Sequence, residues 1–84
     1  MDAKHRRTLE YIFAQPVRSD IPWREVEALF VSLGATVRQG AGSRVCVALN
    51  DVRAVFHRPH PQKETDKGAV RSVRRFLENA GVRP

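Results

Sequence analysis

Residues 44–57 read RVCVALNDVRAVFH, two stretches of strict alternation hinged on Asn50-Asp51. Val45, Val47 and Leu49 alternate with Arg44, Cys46 and Ala48, and Val52, Ala54 and Phe56 alternate with Arg53, Val55 and His57. A strand turns each successive side chain to the opposite face, so this period predicts two half-buried strands with one apolar face each. Asn and Asp tolerate the positive φ that a tight hairpin junction demands. An isolated hairpin is at best marginally stable in water. The other elements must therefore cover its apolar face.

Helical periodicity supplies the cover. Leu9, Ile12 and Phe13 at i, i+3, i+4 predict a helix from residue 3 to about 14, stopped by Pro16. Val26, Leu29, Phe30 and Leu33, extended by Trp23, predict a second. Ser19 or Asp20 is its expected cap, with Pro22 in the first turn, Glu25 and Glu27 near its positive end and Gly34 closing it. Residues 35–39 (ATVRQ) lean toward a strand, and Gly40-Ala41-Gly42 turns the chain into the hairpin. Thr65 or Asp66 caps a final helix whose buried stripe is Val70, Val73, Phe76, Leu77 and Ala80, ended by Gly81. The expected order is α, α, β, β, β, α: an α+β fold with helices in one layer over a three-stranded antiparallel meander.

Eighty-four residues suffice for one small domain. Cys46 is the one cysteine, so no internal disulfide forms, and no cluster at metal-ligand spacing accompanies it. Neither a metal nor a cofactor is expected. The start MDAKHRR lacks the apolar core of a signal peptide, and no apolar run approaches the roughly 18 residues of a membrane span, which points to a cytoplasmic protein. The net charge of +6 is unevenly placed: residues 1–51 hold seven Lys/Arg against six Asp/Glu, and residues 52–84 hold eight against three. A field concentrated on the second hairpin strand, the following loop and the last helix attracts polyanions. The plainer alternative is a solvated surface with a basic excess.

That loop is FHRPHP, residues 56–61, in which His60 stands between two prolines that hold it away from helical conformations. Cleaving RNA without a metal requires a base for the ribose 2′-OH, an acid for the leaving 5′-oxygen and a cation for the charge on phosphorus. Histidine titrates near neutrality and arginine grips phosphate through two N–H groups. His57, Arg58 and His60, with Arg44 at the strand entrance, are therefore the candidate site. Lys63, Lys67, Arg71, Arg74 and Arg75 form a candidate phosphate ridge beside it. The competing structural readings are a strand residue for His57, a turn-ordering residue for His60 and a solvated helix face for the ridge. His5 reads as a solvated helix residue, Trp23 as core and Cys46 as partly buried packing.

The helix ending Leu33-Gly34-Ala35, the Gly42-Ser43 turn into a meander, Pro59-His60-Pro61, and a basic terminal helix ending FLENAGV together resemble HicA-type mRNA interferase toxins. The likeness spans residues 21–82 of what reads as one domain over 1–84, with residues 1–20 as an added N-terminal helix and linker. The resemblance implies a double-stranded-RNA-binding-like fold, endonuclease action on mRNA and a HicB-like antitoxin partner. It lends His60 support as a site residue. It also implies a catalytic histidine directly after the Gly-Ser turn, where this chain carries Arg44. Arginine stays protonated near neutral pH and makes a poor general base. Two readings follow: another imidazole moves the proton, or the chain is a non-catalytic RNA-binding or antitoxin-docking module. A purely protein-binding domain is the third possibility.

Overall fold

In the computed structural model, which describes residues 1–84, the chain runs Ala3–Ile12 (α1), Ile21–Pro22 (β1), Trp23–Ser32 (α2), Thr36–Gln39 (β2), Arg44–Leu49 (β3), Val52–His57 (β4), Glu64–Thr65 (β5) and Lys67–Asn79 (α3). β2, β3 and β4 form the expected antiparallel meander, with Val45 opposite Phe56, Val47 opposite Ala54 and Leu49 opposite Val52. Alternation then sends Val45, Val47, Leu49 and Phe56 inward, where they are buried beneath the helices. Asn50 and Asp51 turn the chain with φ of 50° and 67°, both positive as a two-residue hairpin turn requires. The Asn50 side chain also donates to the Ala80 carbonyl at 2.8 Å, fastening the hairpin tip to the end of α3.

The helices close as their sequences indicate. Gly34, at φ 89°, donates to the Val31 carbonyl while Ala35 donates to Phe30, and Gly81 and Val82 repeat the arrangement on Glu78 and Leu77. These paired bonds satisfy carbonyls that the helix itself leaves without donors. Of the two candidate caps for α3, Asp66 is the one used, accepting from the Ala69 N–H at 2.7 Å. α1 is shorter than expected, ending at Ile12 with Phe13 as its C-cap.

One expectation fails at the start of α2. Neither Ser19 nor Asp20 caps it; the cap residue is Pro22, with no side-chain bond. The residue before a proline is pushed toward extended geometry, so Ile21-Pro22 becomes a strand instead and pairs with Glu64-Thr65. The first amide of α2, on Trp23, is satisfied by the Lys63 carbonyl at 2.9 Å. Asp20 is taken by Arg18, which donates twice at 2.9 Å and holds the carboxyl below its usual pKa. Arg18 in turn lies 3.8 Å over the Tyr11 ring.

The core is one apolar cluster drawn from every helix and from the inner sheet face, including Leu9 and Ile12 of α1. Phe30 is its hub, with ring centroids 6.5 Å from Trp23, 5.8 Å from Phe56 and 5.6 Å from Phe76. Thr65 is fully buried in β5, and its hydroxyl has no hydrogen-bond partner. An unpaired buried hydroxyl costs about 1–3 kcal/mol. Thr65→Val keeps the shape and removes the polar atom, so it is expected to raise stability by roughly 1 kcal/mol in a urea melt; a loss would show that the hydroxyl is satisfied in solution.

Candidate functional site

Strand alternation decides where the basic and imidazole groups of residues 44–60 go. Arg44 and His57 are direct cross-strand partners at the open end of the β3–β4 ladder. The Arg58 N–H donates to the Ser43 carbonyl at 2.9 Å, which makes 43/58 a hydrogen-bonded pair and leaves 44/57 in the closer, non-hydrogen-bonded setting. Side chains in such pairs start from Cβ atoms about 4.5–5.5 Å apart. Both residues are exposed, on the sheet face that no helix covers. A guanidinium and an imidazole thus share one patch of open surface.

Arg58, one residue on, faces the other way. Its Nε donates to Glu27 Oε2 at 2.8 Å and its Nη2 to Oε1 at 3.3 Å, a bidentate bridge from the end of β4 to α2. This hydrogen bond holds the Arg58 pKa above its ordinary value. The Trp23 indole N–H donates to the same carboxylate. Glu27 therefore ties the loop entrance to a buried tryptophan, and Arg58 is occupied as a structural brace. Glu27→Ala leaves the indole N–H of a buried ring without its acceptor, with an expected loss of about 1–2 kcal/mol in chemical denaturation. Glu27→Gln, which keeps an acceptor, is expected to recover part of that loss; equal stabilities for all three proteins would contradict the brace.

His60 lies with Arg58 on this side. It lines a depression together with Arg24, Pro59, Pro61 and Lys63, beside the first turn of α2. The single imidazole and guanidinium surface expected from sequence is thus divided by the alternation of β4: Arg44 with His57 on the sheet face, and His60 with Arg24 and Lys63 around the strand end.

The expected phosphate ridge on α3 is divided as well. Lys67, Arg71 and Arg75 recur every four residues and stay exposed. Arg74 points toward α1, where its Nε donates to the Ile12 carbonyl at 2.9 Å and its Nη2 to Ala14 at 3.0 Å. Those carbonyls lie at the end of α1, so Arg74 finishes that helix and docks it rather than standing free. Three arginines that sequence reasoning passed over belong near the candidate groups: Arg24 beside His60, and Arg38 and Arg53 on the open sheet face. Alternation with Val52 and Ala54 already gave Arg53 its outward parity. Nothing in the local sequence gives Arg24 its neighbour, which is brought there by the pairing of β1 with β5.

No helix is long and apolar enough to cross a membrane. No curated protein and no solved structure matches the chain. A family model does: the HicA toxin of bacterial toxin-antitoxin systems aligns with residues 23–82, from the first residue of α2 to just past the end of α3. The α+β architecture agrees with that match, and α1 lies outside it. A match over so much of an 84-residue chain, on a fold of this kind, makes the protein a member of the HicA toxin family.

Proposed function

We propose that the protein is an mRNA endonuclease that works without a metal and is held in check by a HicB-like antitoxin. The observation that carries this reading is the Arg44/His57 pair on the uncovered sheet face. In-line attack by a ribose 2′-oxygen places the attacking and leaving oxygens on opposite sides of the phosphorus. His57 takes the 2′-OH proton as the O2′–P bond forms, and the Arg44 guanidinium neutralises the charge that collects on the phosphoryl oxygens. The P–O5′ bond then breaks, and the departing 5′-oxygen takes up a proton from solvent, since His60 lies around the strand end from the Arg44/His57 pair. Lys63, Lys67, Arg71 and Arg75 add attraction for the polyanion over a wider area. Where the resemblance implies a histidine, Arg44 in this reading supplies a cation, and the base is His57 across the ladder.

Incubating purified protein with an end-labelled transcript tests this. Cleavage that persists in EDTA and leaves 2′,3′-cyclic phosphate and 5′-hydroxyl ends is expected. Cleavage no faster than in a mock preparation would instead favour a module that binds RNA or antitoxin without cutting, the alternative that Arg44 keeps open.

A further inference from the structure

The open sheet face continues beyond the Arg44/His57 pair. Next along the ladder come Cys46 with Val55, then Ala48 with Arg53, while Arg38 of β2 stands opposite Cys46. These side chains enclose a shallow depression of about 600 Å³, a volume in the range of small-molecule sites. Its floor is low and apolar, made by Cys46, Ala48 and Val55. Val55 is 49% exposed, one of few large apolar side chains left in water. Arg38 and Arg53 stand at the rim, and no outward position on the three strands is acidic.

We propose that this depression is a subsite for single-stranded RNA, holding nucleotides next to the one cleaved; the proposal rests on the RNA-cutting reading above. Bases and riboses lie on the floor, and phosphates reach Arg38 and Arg53. The chemistry of the face selects this occupant. A second copy of the chain would set Arg38, Arg44 and Arg53 against the same cations. An RNA strand matches both features at once, since a ring lies flat on small side chains and under a planar guanidinium while its phosphates meet the positive rim. His57 and Arg53 are four residues apart on one strand, about 13 Å, so a strand of RNA seated on the floor runs directly to the reacting pair. Paired RNA does not fit the same description, because its base faces are stacked out of reach. The substrate is accordingly read as a single strand.

The test separates binding from cutting by using a short 2′-O-methyl RNA, which lacks the proton that cleavage removes. Its affinity for the full chain is measured by fluorescence anisotropy, as a single strand and annealed to its complement. The single strand is expected to bind about tenfold or more tightly. Arg38→Ala and Arg53→Ala are each expected to weaken it several-fold and to lower the slope of log affinity against log salt by about 0.7. Val55→Glu, at an exposed position that leaves the core untouched, is expected to weaken it at least as much. Arg6→Ala and Arg7→Ala, at exposed positions of α1, are expected to leave the slope close to that of the parent. Equal binding of strand and duplex overturns the proposal. So does parental affinity in the Arg38, Arg53 and Val55 variants with the loss moved to Arg71 and Arg75, a result that leaves RNA binding itself intact. Failure to bind either RNA at low salt, with binding of a polyglutamate probe instead, makes the face a surface for an acidic protein and removes the RNA reading with it.

Discussion

His57→Ala is expected to slow RNA cleavage by about a hundredfold or more, the range over which a positioned proton-transfer group contributes. The side chain is exposed at the end of β4, so the far-UV circular dichroism and the urea midpoint are expected to stay close to those of the parent. Arg44→Ala is expected to cost about 10²–10³-fold, because the proposed mechanism makes it the donor to the developing phosphoryl charge. Arg44→Lys keeps the charge but loses the two-pronged geometry, and falls between. Arg58→Ala and Arg74→Ala make the informative contrast. Their guanidiniums are bound to Glu27 and to the α1 carbonyls, so their loss appears first in stability. A parental cleavage rate in His57→Ala would move the general base elsewhere.

Phe30→Ala carries the largest expected effect on the fold, about 3–5 kcal/mol for a buried aromatic reduced to alanine. Its ring is completely buried and stacks or edges against Trp23, Phe56 and Phe76, which come from α2, β4 and α3. Removing it opens a cavity where three elements meet, and none can close in without abandoning the other two. A domain of this size has about 5–15 kcal/mol in total. Urea denaturation is therefore expected to show a variant near the edge of folding at 25 °C, against a cooperative parent. A loss below about 1.5 kcal/mol would mean that the core collapses around the gap and that Phe30 is not its hub.

What the sequence made readable follows from local physics. A period of two assigned inward and outward positions on β3 and β4 correctly, and Gly34 and Gly81 marked helix ends because each is required at positive φ. The two-residue strands escaped, since a pairing of Ile21 with Thr65 leaves no periodic trace in either segment. The site was harder for a related reason. Arg44, Arg58, Arg71 and Arg74 are chemically identical in a string of letters, and what separates them is whether a carboxylate or a bare helix end waits across space. Glu27 lies 31 residues from Arg58, and Ile12 lies 62 from Arg74. Parity along β4 did contain the division of His57 from Arg58, because adjacent residues on a strand cannot share a face. His60, beyond the end of the strand, had no such rule to place it.

Arg44 and His57 come from different strands and pair across the ladder, and the proposed mechanism puts both on a single phosphate. The most direct measurement is a double-mutant cycle on EDTA-resistant cleavage with Arg44→Ala, His57→Ala and both together. If the pair acts as one unit, the double variant cuts about as slowly as the worse single variant, a strongly non-additive result. Rate losses that simply multiply, or a His57→Ala protein as fast as the parent, would show that the two groups do not share the chemistry.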